Sequence, residues 1–165
     1  METIYFWSPR GEYGYLSQWY PSEFYDYEGI KYNCAEQYIM YQKAIAFKDF
    51  ETAEKIIKET SPKIIQALGR AVKNFDQAIW DQCKFNIVNS GNFFKFTHNI
   101  DLKKKLLATG DTQLVEASPF DRVWGIGINA ATAELGAKWR GENLLGKAIM
   151  EARDLIRERY SDVGE

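Results

Sequence analysis

The sequence has few of the residues that build metal centres or disulfide-stabilised folds. Its 165 residues include one histidine, His98, and two cysteines, Cys34 and Cys83, which do not form a Cys-x-x-Cys pair. A structural zinc site takes about four histidine or cysteine ligands, and a disulfide scaffold needs several cysteine pairs. The sequence therefore predicts no transition-metal site, no cofactor and two reduced thiols, and it leaves open a Mg²⁺ held by carboxylates and a bound phosphate.

Long apolar runs and a strong excess of one charge are also missing. No stretch approaches the roughly 20 apolar residues that cross a bilayer, and the N-terminal segment carries an acid, Glu2, where a signal peptide is basic. The formal net charge of −2 argues against capture of nucleic acid by a broadly basic surface. We expect a cytoplasmic protein without membrane contacts.

Aromatic residues are plentiful, at 15% of the chain, with five tryptophans and ten tyrosines. Such rings suit stacking on bases and sugars, although aromatic-rich cores also exist. The 45% hydrophobic and 27% charged fractions are those of a globular protein. At this length we expect a single compact domain over residues 1–160, followed by a frayed tail at 161–165.

Apolar periodicity and capping signals predict an α+β fold that is mainly helical, with a few short strands. Asn33, followed three residues later by Glu36, resembles a capping box, Gly69 is expected to close the third helix, and Asn143 is the expected N-cap of the last. The predicted helices cover 35–47, 50–58, 62–69, 76–93, 102–108 and 144–159, with strands at 4–7 and 113–116 and a hairpin over 24–32.

Two charged residues, Glu36 and Lys43, lie on one face of the first predicted helix. They are seven residues apart, which separates them by two turns, or about 10 Å along the axis. That spacing is too long for a direct ion pair within the helix and suits two groups that flank a sugar ring. The alternative is structural: Glu36 serves the capping box and Lys43 is a solvated lysine.

A second cluster lies in the segment Ser118–Gly127. It places Asp121, Arg122 and Trp124 within four positions of one another, beside Gly125, a residue that lets backbone approach a ligand closely. Such a group suits a sugar or a base, and equally a turn in which Trp124 anchors the core. Gly125-Ile126-Gly127 has no third glycine at the dinucleotide spacing, and no phosphate-binding Gly-Lys-Ser/Thr follows it.

Two further residues, Trp80 and Arg10, are candidates for substrate contacts. Trp80 and Trp124 can stack on a base or sugar, and Arg10 and Arg122 can hold phosphates through bidentate hydrogen bonds. Each has a structural alternative, because Trp80 occupies a core-like helical position and Arg10 can simply decorate a turn.

Four segments together resemble the NADAR family, which includes the YbiA-like N-glycosidases. Tyr32–Ala44 resembles the family helix that carries a glutamate and a lysine, here Glu36 and Lys43. Gly14–Ser17, Glu116–Gly127 and Trp139–Met150 match the family in the same order along the chain, so the resemblance covers nearly the whole sequence. Two positions depart from the family pattern, Gln18 and Gln37, where Asn and His are common, and we expect them to affect substrate choice.

The resemblance implies a YbiA-like fold that hydrolyses an N-glycosidic bond at C1 of a phosphorylated ribose or of ADP-ribose. Substrates implied by the family are riboflavin-pathway ribosylaminopyrimidine phosphates and ADP-ribosylated guanine in DNA. Carried over by motif, Glu36, Lys43 and Asp121 become catalytic candidates. Residues expected to bind substrate are Trp124, Trp80, Arg10, Arg122 and Gly125.

Two mechanisms fit these residues. In one, Glu36 or Asp121 acts as general base or stabilises an oxocarbenium-like centre while water attacks. In the other, which the resemblance favours, the Lys43 amine captures C1 of the opened ribose as a Schiff base. The rival function is a non-catalytic module that binds ADP-ribose or a nucleotide, and the oligomeric state is left open.

Overall fold

The computed structural model describes residues 2–161. Seven α-helices and four short strands lie in this range, which confirms the predicted α+β, mainly helical fold. The chain divides into two compact units: a terminal unit made of the chain up to Tyr20 and from Ile100 onward, and a central unit, Pro21–Asn99. The single domain over 1–160 stays a prediction, and the tail predicted at 161–165 lies, beyond Ser161, outside the described residues.

The helices and strands begin and end close to their predicted positions. The segment expected to be a loop at Gly14–Ser22 contains a short 3-10 turn, Gly14–Leu16, and one short helix was not predicted. In chain order the elements are β1 (Thr3–Phe6), β2 (Phe24–Tyr25), β3 (Lys31–Tyr32), α1 (Ala35–Ala46), α2 (Phe50–Lys58), α3 (Pro62–Arg70), α4 (Gln77–Thr97), α5 (Ile100–Ala108), β4 (Gln113–Glu116), the unpredicted α6 (Ala130–Glu134) and α7 (Leu144–Ser161).

The terminal unit is built on a parallel pair of strands. β1 lies beside β4 in a register that opposes Ile4 with Leu114 and Phe6 with Glu116, and α7 packs against β4. The helix turns a continuous apolar stripe inward, since Leu145, Ile149 and Ala152 are buried. Both strands end at the same edge, where the N–H of Ala117 donates to the carbonyl of Phe6.

Asn143 directly precedes α7, and its backbone carbonyl accepts from the N–H of Lys147, but its side-chain amide bonds to β4. Its Oδ1 accepts from the backbone N–H of Glu116 at 3.0 Å, and its Nδ2 donates to the carbonyl of Leu114 at 3.0 Å. The residue is buried and adopts a φ of 53°. Asn is among the few residues that tolerate this conformation, and here its amide completes the backbone hydrogen bonding of β4. Gly146 packs closely, because a Cβ there would overlap the Leu114 carbonyl.

In the central unit, the hairpin turn is organised by one carboxylate. The Asp26 side chain accepts hydrogen bonds from the N–H groups of Glu28 and Ile30 and from the Tyr32 hydroxyl. Gly29 supplies the positive φ of the turn, 82°. The predicted hairpin is confirmed, with β2 and β3 antiparallel.

Helix α1 is the centre of this unit and packs against α2, α3 and α4. The crossings are close at two glycines. A Cβ at Gly69 of α3 would overlap the Met40 side chain, and one at Gly91 of α4 would lie 2.7 Å from the Tyr38 ring. Gly69 was predicted to close α3, but the helix continues to Arg70. The glycine instead allows the close crossing with α1.

We predict that Asn143→Gly destabilises the protein. The substitution keeps the positive φ but leaves the Leu114 carbonyl and the Glu116 N–H without their partner, so the free energy of unfolding should fall by about 1–3 kcal/mol. Urea denaturation measures the loss. Asn74→Gly is the matched control, since Asn74 is exposed with a φ of 63°. Equal stability of the two variants would contradict the role given to the Asn143 amide.

Candidate functional site

The structure distributes the predicted site residues over both units. Glu36, Lys43 and Trp80 lie in the central unit, on α1 and the first turn of α4. The remaining candidates lie in the terminal unit, and they are Arg10, Asp121, Arg122, Trp124 and Gly125.

Lys43 lies among aromatic rings. Its Nζ is 4.7 Å from the ring centroid of Phe75 and 5.6 Å from that of Trp80. Trp80 is 7% exposed, which fits the core position considered for it, and Phe75 is 41% exposed. Lys43 itself is half-buried, so the alternative of a fully solvated lysine is wrong. Phe75 was not among the predicted residues, because it precedes α4 and only the fold brings it to α1.

The surroundings of Lys43 make its charged form less favourable than that of a lysine in water. Burial lowers the pKa of its ammonium, and the positive charge of Arg70 lowers it further, while the Glu36 carboxylate raises it. Glu36 therefore acts on Lys43 electrostatically, as two groups on one helix face should. The two ring faces also favour the charged form, by about 0.5–2 kcal/mol. The net result is an amine less basic than an ordinary surface lysine.

The start of α1 differs from the predicted capping box. The N-cap is Cys34, and the third helical residue is Gln37, whose Oε1 accepts from the N–H of Asn33 at 2.7 Å. The Gln37 amide also donates to the carbonyls of Ile56 and Glu59, at the C-terminal end of α2. Glu36 is thus not the box acid. Since Gln37 is fully buried, its position supports a structural role and gives no support to the expected effect on substrate choice.

Gln18, the other departure from the family pattern, is also turned inward. It is 9% exposed, and its amide donates to the carbonyl of Leu16 at 3.3 Å. This contact lies within the turn that follows Gly14–Leu16, so it contributes to the local shape of that segment.

In the terminal unit, Asp121 organises the backbone around it. Its Oδ1 accepts from the N–H groups of Val123 and Trp124 at 2.9 and 2.8 Å. The loop is tight: a Cβ at Gly125 would lie 3.0 Å from the Asp121 carbonyl oxygen, and Gly127 has a φ of 72°. The turn considered in the sequence analysis is therefore present, with Trp124 half-buried. The catalytic role of Asp121 stays a prediction.

An exposed aromatic pair lies where β1 and β4 end. Trp7 directly follows β1 and Phe120 lies in the loop after β4; their ring centroids are 5.8 Å apart, and the residues are 48% and 84% exposed. Arg10 and Arg122 are exposed in the same two segments. Neither Trp7 nor Phe120 was predicted as a site residue, although Trp7 ends the predicted strand 4–7 and Phe120 lies within the segment Glu116–Gly127.

A second perturbed amine, Lys95, is fully buried in α4. Its Nζ lies 5.0 Å from the Phe96 ring centroid. Burial lowers the pKa of Lys95 to about 7, and the Cys34 thiol opposes this shift. Burial likewise raises the pKa of Cys34 to about 11, so the thiol is not a reactive thiolate at neutral pH. A lysine in the last turn of a helix gives no sequence signal that it is buried.

No group of three or more His, Cys, Asp or Glu side chains within residues 2–161 is placed to hold a metal ion. None of the helices described there is both long and apolar enough to cross a membrane.

Comparison with known proteins places the chain in a family. The NADAR domain matches residues 5–157. The chain is 46% identical to an N-glycosidase of Acanthamoeba polyphaga mimivirus over 145 residues, 84% of this chain and 85% of that protein. It is 33% identical to an N-glycosidase of Nostoc punctiforme over 162 residues, 98% and 97% of the two chains. The chain therefore belongs to the NADAR family.

A solved structure confirms the YbiA-like fold. The NMR structure of the E. coli protein YbiA matches with a TM-score of 0.79 and 25% identity, covering 99% of this chain and 89% of that one. The two relatives above are named N-glycosidases, which are hydrolases of N-glycosyl compounds. Their names agree with the enzyme class predicted from the sequence.

We predict that Lys95 makes stability depend on pH. Between about pH 7 and 8.5 the folded lysine is largely neutral whereas the unfolded one is charged, so the unfolded state binds more protons and stability rises with pH. The contribution is up to about 1.4 kcal/mol per pH unit. Lys95→Met should lose this slope in urea denaturation across that range, and Lys63→Met, at an exposed position, should retain it. A slope unchanged in Lys95→Met contradicts the assignment.

Proposed function

We propose that this protein is an N-glycosidase that hydrolyses the bond between a base nitrogen and C1 of a phosphorylated ribose or of ADP-ribose. The observation that carries the proposal is the half-buried Lys43 amine, 4.7 Å from the Phe75 ring and within the field of Glu36. Membership of the NADAR family and the names of its relatives support the reaction class.

The amine is suited to attack a carbon electrophile. Only the neutral form of lysine is nucleophilic, and burial beside Phe75 and Trp80 increases its fraction at neutral pH. An ordinary lysine, with a pKa near 10.4, is almost entirely charged there. The exposed part of Phe75 leaves an apolar surface beside the amine on which a sugar or base can lie.

The proposed reaction proceeds through the opened sugar. The ring oxygen leaves C1 and takes a proton, which gives an iminium between C1 and the base nitrogen. The Lys43 amine adds to C1, its proton passes through the Glu36 carboxylate to the base nitrogen, and the base departs. The resulting Schiff base adds water and releases the sugar aldehyde and free Lys43. The net change is hydrolysis of one C–N bond.

The proposed substrate is defined by its chemical class. Ribosylaminopyrimidine phosphates and ADP-ribosylated guanine in DNA both present C1 of a phosphorylated ribose bonded to nitrogen. The roles of Arg10, Asp121, Arg122, Trp124 and Gly125 toward such a substrate stay predictions. The rival function, a module that only binds ADP-ribose, does not require an amine of lowered pKa beside a carboxylate, so the surroundings of Lys43 favour the enzyme.

We predict that borohydride traps the substrate on Lys43. Reduction of the Schiff base leaves a stable secondary amine, so mass spectrometry of peptides from the wild type should show the sugar on Lys43. Lys43→Ala should lose the adduct and the activity, and Lys63→Ala should keep both. Lys95→Met should also keep the adduct, because a fully buried amine is closed to substrate. Full activity in Lys43→Ala would overturn the covalent route.

We predict that Glu36→Gln lowers kcat by about 10²- to 10⁴-fold, the usual contribution of a positioned acid or base. Binding of ADP-ribose should change little, because the amide keeps the shape of the carboxylate. Release of free base is measured from ADP-ribosylated guanine DNA and from a ribosylaminopyrimidine phosphate. Glu28→Gln, at an exposed turn position, is the control. If the wild type binds ADP-ribose but releases no base from either substrate, the binding module is the better description.

A further inference from the structure

Arg70 is brought to Lys43 by the crossing of α1 and α3. Arg70 is the last residue of α3, and Gly69 before it lies directly against Met40. Met40 and Lys43 are three residues apart on α1 and therefore share a face. The end of α3 therefore lies beside the part of α1 that carries the Lys43 amine. The effect of the Arg70 charge on the Lys43 pKa is consistent with this placement.

The donors of the Arg70 guanidinium are available to a ligand at this crossing. Arg70 is exposed, and its side chain makes no hydrogen bond or ion pair with any of the residues 2–161. Glu36 is the one carboxylate whose charge acts on Lys43, against the two cations. Asp76, which follows Phe75, has its Oδ1 occupied by the N–H groups of Ala78 and Ile79 at the start of α4. Arg70 is therefore an exposed cation whose charge reaches Lys43 and whose guanidinium donors can take an anion.

Arg70 and Lys43 differ in chemistry, and they therefore suit different roles. A guanidinium presents a planar fork of donors that matches a phosphate in two parallel hydrogen bonds, whereas the lysine amine reacts only when it is uncharged. We infer that Arg70 binds the phosphate of the ribosyl substrate whose C1 reacts at Lys43. The ligand is accordingly a ribose bearing a phosphate monoester or diphosphate. This inference rests on the proposed function for the position of C1.

The alternative is that Arg70 has a purely structural role, and two variants distinguish that role from phosphate binding. A cation in the last turn of a helix interacts favourably with the helix dipole. Arg70→Lys keeps that charge and loses the fork, whereas Arg70→Ala loses both. A purely structural role predicts that stability changes in Arg70→Ala and that affinity for phosphate is unaffected in either variant.

The test measures the affinity of the whole chain for ribose 5-phosphate by isothermal titration calorimetry. Wild type should bind it, and Arg70→Ala should weaken binding by about 10- to 100-fold, the range expected for lost hydrogen bonds to a charged group. Arg70→Lys should be intermediate. Lys63→Ala is the matched control, at an exposed position earlier on the same helix, and should bind like wild type. Ribose without phosphate should bind wild type and Arg70→Ala equally weakly.

Because binding of ribose 5-phosphate breaks no bond, this experiment tests the role of Arg70 independently of the proposed glycosidase activity. If Arg70→Ala binds ribose 5-phosphate as wild type does, or if wild type does not bind it, the role of Arg70 is overturned whatever the glycosidase activity. If binding depends on Arg70 but no substrate is hydrolysed, the phosphate site stands and the proposed catalysis is wrong.

Discussion

The close crossing of α1 with its neighbours is the constraint from which the properties of Lys43 follow. Glycine at positions 69 and 91 removes the side chains that would hold α3 and α4 away from α1. The rings at the start of α4 can then cover an amine on α1, and the end of α3 can place a second cation beside it. On an isolated helix the same lysine would be surrounded by water and would keep its ordinary pKa.

The two perturbed lysines show why partial burial matters. Lys95 is wholly enclosed, and its pKa falls to about 7, but its amine has no access to solvent or substrate. Lys43 loses only part of its hydration, so its pKa shift is a balance of burial and Arg70 against Glu36 and the ring faces. A nucleophilic amine needs both a reduced charge and an open approach. Of these two lysines, Lys43 alone combines them.

Local signals in the sequence predicted most of the elements but not the surroundings of the site. The observed ends of α2 match the prediction, and the structure shows a local cause for its start, because the Asp49 side chain just before the helix accepts from the N–H of Thr52. Gly69 was misread as a helix stop because its reason, contact with Met40, lies nearly thirty residues away along the chain. The same holds for Phe75 and Arg70, which reach Lys43 through packing, and for Asn143, whose amide serves a strand. Glu36 and Lys43 were found because both lie on one helix face.

The segments that resemble the NADAR family contain residues required for two different reasons. In Glu116–Gly127, the Oδ1 of Asp121 is held by two backbone N–H groups, and Gly125 and Gly127 occupy positions where a side chain would be crowded. Folding of the loop therefore accounts for these three. It does not account for Phe120 and Arg122, which the same loop presents to solvent at the edge where two parallel strands end. The Phe120 ring instead packs against that of Trp7, so an exposed aromatic contact joins the loop after β4 to the segment after β1.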